Sequence, residues 1–309
     1  SGIISDSVRP GQNSYLKIDG NDGAYAAGPF LTETQSEYNN NSHYNQSGTI
    51  SYVTEHAVSP KVLDIVTYTG NGASLRQIPH NLGCQPGFIV VKQYDNSGEQ
   101  WYVWHIGLNP LQNMHLNQGS NPSIVNTAWK SWPTRDHFYV GSNGGVNGNG
   151  KEYVAYIYAA DTAGKIKCGE YNGLGYGGTI TALGNTPIGF AWCKNIQGGD
   201  PWYVVDENSS SNGKYWKFNS SSTLNSSNLN IHTYPGKFSY NNQAEPNQSG
   251  QKYLYMAVAK DLTGQNSTQL NLLSNQDLEY FTAGTQITSN ASASGSNVSF
   301  ATFRYNGNG

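Results

Sequence analysis

The run Phe88-Ile89-Val90-Val91-Lys92 is answered about a hundred positions later by Phe190-Ala191-Trp192-Cys193-Lys194. Other blocks follow in the same order. Trp101-Tyr102-Val103 matches Trp202-Tyr203-Val204, Gly150-Lys151-Glu152-Tyr153 matches Gly250-Gln251-Lys252-Tyr253, and Tyr156 to Asp161 lines up with Met256 to Asp261. Upstream, Asp64 to Gly72 corresponds to Lys165 to Gly173, with Tyr68 and Tyr171 separated by 103 positions, as are Gly70 and Gly173. Leu82-Gly83 answers Leu183-Gly184, and Pro86 answers Pro187. Separated blocks at a nearly constant offset mean that one unit of about 100 residues is present twice. The terminal Phe303-Arg304-Tyr305-Asn306-Gly307-Asn308-Gly309 resembles the Tyr68 to Gly72 opening. It is either the start of a further copy or a strand end followed by a turn.

Within each copy the local signals are those of strands. Phe88 to Lys92 and Trp101 to Trp104 are short branched or aromatic runs bounded by Gly, Asn, Asp and Pro. Asp95-Asn96-Ser97-Gly98 and Gln197-Gly198-Gly199-Asp200 read as the hairpin turns between paired runs. Along Tyr153 to Ala160, alternation places Tyr153, Ala155, Ile157 and Ala159 on one face and Val154, Tyr156, Tyr158 and Ala160 on the other, so both faces require cover. No window sustains a 3.6-residue apolar period, and Asn266 to Phe281, the best attempt, is diluted by Ser and Asn. The expectation is an all-β protein of two tandem β-sandwich or jelly-roll-like domains, residues 63–163 and 164–262. Residues 1–62 are expected to be an irregular N-terminal arm or attachment segment, with Thr49 to Val53 as a strand, and 263–309 a C-terminal extension with a strand near Asn297 to Phe300.

Composition narrows the function classes. Of 309 residues, 36% are hydrophobic and only 12% charged, so solvation rests on Asn, Ser, Gly and Thr. The formal charge of -3 and the lack of a basic run speak against nucleic acid as a partner. No stretch approaches the roughly 20 apolar residues of a membrane helix, so no membrane insertion is expected. The opening Ser1 to Asp6 lacks the regions of a signal peptide. Three cysteines, Cys84, Cys168 and Cys193, show no CxxC spacing and suit assembly in a reducing cytoplasm. A Cys168 to Cys193 bridge is the one pairing weighed, and no metal or cofactor is expected.

The same residues carry a resemblance. Tyr68 to Gly72, Ile78-Pro79-His80-Asn81-Leu82-Gly83, Gln85 to Lys92, Trp101 to His105 and Tyr153 to Ala159 resemble a family of bacteriophage tail-fibre and virion-structural repeats, of the marine or cyanobacterial phage kind. The second copy keeps the skeleton but has Thr181-Ala182 where the histidine would stand and Ile188 between Pro187 and Gly189. The resemblance covers roughly residues 63–262 and carries no catalytic positions. It implies a virion-surface protein assembled in the host cytoplasm, with other virion proteins, a homo-oligomer and host surface glycan as partners.

Side chains that carry chemistry point to no reaction. His80 lies in a turn and is absent from the second copy. Arg135-Asp136-His137 are strand neighbours facing opposite ways and read as solvated surface. Asp206-Glu207 are adjacent, whereas a glycosidase pair must face across a cleft. Asp161 and Asp261 recur at the copy ends and read as turn caps. Asn-x-Ser/Thr triplets at Asn208, Asn219, Asn247, Asn266 and Asn290 follow from composition. The chain holds 22 Tyr and 7 Trp, residues suited to sugar faces and protein partners. Because Trp101, Tyr102, Trp202 and Tyr203 recur, they read as core; the non-repeated Trp129, Trp132 and Tyr176 are the ligand-site candidates. The expectation is a non-enzymatic tail-fibre or appendage protein that adheres through multivalent weak contacts. The alternatives are a capsid decoration or head-fibre protein and a polysaccharide depolymerase.

Overall fold

The computed structural model describes residues 3–26, 50–206, 214–220, 225–226, 229–230, 236–240, 246–260, 285–288 and 296–300, apart from positions 7, 10–13, 55 and 57. Strands β1 (Ile3–Ile4), β2 (Ser14–Lys17) and β3 (Tyr25–Ala26) form an antiparallel sheet, and β4 (Ile50–Thr54) follows. The first repeated unit contributes β5 (Leu63–Thr69), β6 (Arg76–Pro79), β7 (Pro86–Gln93), β8 (Tyr102–His105), β9 (Gln112–His115) and β10 (Ser123–Ile124). It continues with β11 (His137–Val140), the four-residue helix α1 (Gly144–Asn147) and β12 (Glu152–Ala159). The short β13 (Asp161–Thr162) leads into β14 (Ile166–Asn172), β15 (Gly178–Thr181), β16 (Ile188–Asn195), β17 (Trp202–Asp206) and β18 (Lys214–Lys217). Next come β19 (Asn225–Ser226), β20 (Leu229–Asn230), β21 (Lys237–Tyr240) and β22 (Lys252–Ala259). Finally β23 (Thr285–Thr288) and β24 (Ser296–Phe300) pair with the two edges of β4.

The protein is all-β, and α1 is the single α-helix among the described residues. One large sheet runs β10-β9-β8-β7-β12-β5; the other runs β19-β18-β17-β16-β22-β14-β13. Setting β13 aside, the second order repeats the first strand for strand. Small sheets, β6-β11 and β15-β21-β20, accompany them.

Strands β7, β12, β16 and β22 are buried almost end to end. Period-two alternation divides their side chains between two cores. In the second unit Ala191, Cys193, Tyr203, Val205, Tyr255 and Ala257 pack in one cluster, whereas Phe190, Trp192, Trp202, Val204, Leu254 and Met256 join the main core with the first unit. Phe88 and Trp192 meet across that junction with ring centroids 4.7 Å apart. The indole of Trp202 donates to the carbonyls of His115 (3.0 Å) and Gln118 (3.1 Å), and the His105 Nε2 lies 3.1 Å from the Tyr255 carbonyl. The two large sheets therefore face each other over a shared apolar layer.

Within the expected arm β1, β2 and β3 form a small sheet, and β4 falls at the strand expected over Thr49 to Val53. Ile4, Leu16 and Ile18 belong to the main core, and the Trp101 indole donates to the Lys17 carbonyl at 3.0 Å. The physical reason is coverage: the first unit needs apolar side chains on the face of its sheet that the second unit does not reach. Cys84, Cys168 and Cys193 are not in disulfides, so the Cys168 to Cys193 bridge is not formed. The stretch Asn266 to Phe281 lies outside the described residues.

The repeated glycine of the opening motif has a local cause. A Cβ on Gly70 would stand 2.0 Å from the Gly148 carbonyl oxygen, and one on Gly173 would stand 2.0 Å from that of Gln248. Beside each glycine a buried asparagine closes the turn. Asn147 accepts from the Asn71 N–H (3.0 Å) and donates to the Gly141 (3.0 Å) and Ala73 (3.2 Å) carbonyls; Asn247 accepts from the Leu174 N–H (2.8 Å). Gly70→Ala should lower stability by about 2–4 kcal/mol, read as a denaturant midpoint. Gly83→Ala, at φ 76° with open space around it, should cost only about 1–2 kcal/mol.

Candidate functional site

An open concavity forms where the loop before β3 crosses the hairpin turn between β7 and β8. It has a volume of about 270 Å³ and is walled by Asp22, Tyr25, Tyr94 and Asp95, with Gly23 and Asn96 at its base. The crossing is pinned by backbone: Ala24 N–H donates to the Tyr94 carbonyl (2.8 Å) and Gly98 N–H to the Asn21 carbonyl (2.9 Å). A Cβ on Gly23 would come within 2.9 Å of the Asn96 carbonyl oxygen, so only glycine lets the two segments pass this closely.

Beneath the crossing the fully buried Lys92 donates from Nζ to the carbonyls of Glu99 (2.7 Å) and Asn21 (3.1 Å). Burial pulls its pKa down to about 8. Tyr25 stacks on Tyr15 at 5.3 Å, carries the Lys17 ammonium 4.5 Å above its ring, and donates its hydroxyl to Asp22 at 2.6 Å. That hydrogen bond pushes the Tyr25 hydroxyl up to about 12. Burial raises Tyr94 as well, so both phenols keep their protons at neutral pH. Asp95 accepts from the Gln93 amide at 2.7 Å, which fixes its carboxylate. Two oriented carboxylates beside two half-buried phenols form a site for a ligand that offers hydroxyl donors and a small apolar face. A single sugar residue has that chemistry and roughly that size.

The structure disperses the residues nominated from sequence. Trp129 is a core residue: it is 2% exposed, its indole N–H donates to Asn113 at 2.9 Å, and its ring packs against Phe138. It presents no face to a ligand. Trp132 is 44% exposed and stands edge-on to the buried Trp104, and Tyr176 is 64% exposed. They sit on separate loops, before β11 and before β15. His80 is buried in its turn, where Nδ1 accepts from the Leu82 N–H at 3.4 Å. Arg135 and Asp136 make a 4.0 Å pair open to solvent. Asp161 pairs with Lys167 on the surface. Asp206 is buried; Glu207 and Asp261 lie outside the described residues. Asn247 is wholly buried, so its Asn-x-Ser triplet is closed to modification. Among the described residues no three His, Cys, Asp or Glu side chains gather as a metal site.

The concavity went unread because its walls come from two Asp- and Gly-rich turns in segments distant in sequence. Asp19-Gly20-Asn21-Asp22-Gly23 is a hairpin signal as clear as Asp95 to Gly98. Reading it would have converted part of the arm into sheet.

These features define a class, an all-β protein with a duplicated sheet and an aromatic, acidic surface concavity. The chain belongs to the family described as domain of unknown function DUF7483, whose model matches residues 34–261. No curated protein matches it.

The buried imidazoles yield a pH test. Burial lowers His105 to about 4 and His56 to about 3. A folded-state pKa below the unfolded value near 6.5 means the unfolded chain binds more protons between the two, so stability is full above about 6.5 and falls as pH drops toward 4. From pH 7 to 4.5, His105→Gln should lose about 2–3 kcal/mol less than the parent protein, measured as denaturant midpoints.

Proposed function

We propose that this chain is a non-enzymatic structural and adhesive component of a phage tail fibre or similar virion appendage, and that it binds host surface glycan. The observation that carries the reading is the concavity of Asp22, Tyr25, Tyr94 and Asp95. Its carboxylates accept hydroxyl donors and its phenols supply ring surface. The duplicated sheet, the low charge and the resemblance of residues 63–262 to virion repeats support the same reading.

A shallow site of this size gives weak monovalent binding, so adhesion would come from many sites on one particle. Exposed Trp132 and Tyr176 are further contact points on separate loops.

Labelled protein should bind marine or cyanobacterial cells, and enzymatic stripping of surface polysaccharide should abolish the binding. Tyr25→Ala and Asp22→Asn should each weaken binding to an immobilised host glycan at least about tenfold, about 1.4 kcal/mol, whereas Arg135→Ala should leave it unchanged. Binding that survives stripping, or that ignores both pocket variants, would remove the glycan reading. Density for the chain on the head of a particle would instead favour a capsid decoration protein.

A further inference from the structure

We propose that residues 3–60 are a third copy of the repeated unit, and that its sheet is completed by the C-terminal strands β23 and β24 of the same chain.

The sequence of β2 gives the first indication. Ser14-Tyr15-Leu16-Lys17-Ile18-Asp19 aligns with Gln112-Asn113-Met114-His115-Leu116-Asn117 and with Lys214-Tyr215-Trp216-Lys217-Phe218-Asn219. The aligned Leu16, Met114 and Trp216 are all buried, as are Ile18, Leu116 and Phe218. The neighbouring strand agrees by register. Ile3 pairs with Lys17 as Tyr102 pairs with His115 and Tyr203 with Lys217. Strand β1 therefore stands where β8 and β17 stand. Three residues past Ile3, Tyr102 and Tyr203, the chain carries a buried polar side chain, Asp6, His105 and Asp206.

The contacts between units repeat too. The Trp101 indole donates to Lys17 as the Trp202 indole donates to the aligned His115. Lys92 Nζ reaches the Asn21 and Glu99 carbonyls; Lys194 Nζ reaches those of the aligned Gly119 (2.8 Å) and Asp200 (2.6 Å). Asp6 accepts from the Tyr156 hydroxyl at 2.7 Å, and His105 meets the Tyr255 carbonyl, each on the long strand of the following unit. The exits from the units match as well. Ser59 bridges Leu63 as Thr162 bridges Ile166, and Lys61 (φ 63°) takes the left-handed conformation that Gly164 (φ 69°) takes.

This alignment puts β4 at the position of β12 and β22. Strand β12 is flanked by β5 and β7; β4 is flanked by β23 and β24, and β24 runs beside β1 as β7 runs beside β8. The sheet β23-β4-β24 thus follows β5-β12-β7, and the sheet β1-β2-β3, whose first strand lies against β24 without pairing with it, follows β8-β9-β10. Two features depart: β24 is parallel to β4, whereas β7 is antiparallel to β12, and β24 and β1 belong to separate sheets, whereas β7 and β8 are paired. Strand β24 is therefore a surrogate that fills the slot from the opposite direction.

The three units enclose one small cavity of about 20 Å³, whose walls include Ile4 from the first, Phe88 and Tyr156 from the second, and Phe190, Phe218 and Met256 from the third. All three copies meet at that point, so the head-to-tail contact turns back on itself.

Two measurements test this. In full-length Ser51→Cys/Asn297→Cys, residues paired in register across β4 and β24, mild oxidation should give a 51–297 disulfide within one chain, seen as an intact monomer mass with a cross-linked peptide. No link would overturn the slot assignment, and a link between two chains would overturn the same-chain completion. Separately, Leu16→Ala should lower the single unfolding midpoint of the whole chain by an amount comparable to Met114→Ala. An unchanged midpoint for Leu16→Ala would show that residues 3–60 are an appended arm and not a copy.

Discussion

Long strands buried on both faces govern this molecule. A strand such as β12, with Tyr153, Ala155 and Ile157 on one side and Val154, Tyr156 and Tyr158 on the other, leaves no side for water. A sheet built around it has to be covered twice. One cover is local, supplied by the unit's own small sheet and loops. The other comes from a neighbouring unit, which is why the two large sheets share a core and why Ile4, Leu16 and Ile18 are drawn into it.

Beside the buried Arg9–Asp6 ion pair, several polar groups in that shared layer are tied to backbone. The indoles of Trp101 and Trp202 and the ammonium groups of Lys92 and Lys194 all end on carbonyl oxygens of another segment. Such bonds depend on the path of the main chain and tolerate wide changes in side chain. They also satisfy donors whose burial alone would cost about 1–3 kcal/mol each. The pKa of Lys92 near 8 reports the remaining desolvation penalty.

That same tolerance decides how much could be read from the sequence. Side-chain identity carries the duplication of Phe88 to Lys92, Trp101 to Val103 and Tyr153 to Ala159, and those blocks gave the strands, both hairpin turns and the two-faced burial of β12. In residues 3–60 the corresponding positions are Ile3 for Tyr102, Lys17 for His115 and Lys61 for Gly164, so the relation survives in register and backbone conformation while the letters change. Trp129 shows the opposite error. It is not repeated, and that suggested a free ring; yet its indole is held by Asn113, a residue also specific to the first unit, so an unrepeated aromatic can be as deeply structural as a repeated one. The concavity was hidden because it needs two segments seventy residues apart in sequence to cross.

The interior among the described residues is closely filled. Its cavity of about 20 Å³ holds at most one water and is lined by apolar side chains. At the turns where units meet the two junctions differ. At the junction of the repeated units Asn121 fills the crossing, donating to the Gln197 carbonyl (3.2 Å) and accepting from the Gly199 N–H (2.8 Å). At the equivalent place in the other junction stands Gly23, where a Cβ would meet the Asn96 carbonyl oxygen at 2.9 Å, and Asp22, Tyr25, Tyr94 and Asp95 line the concavity beside it. The two junctions thus share one arrangement of crossing turns and differ in the side chains around the crossing, while the sheets hold those turns in place.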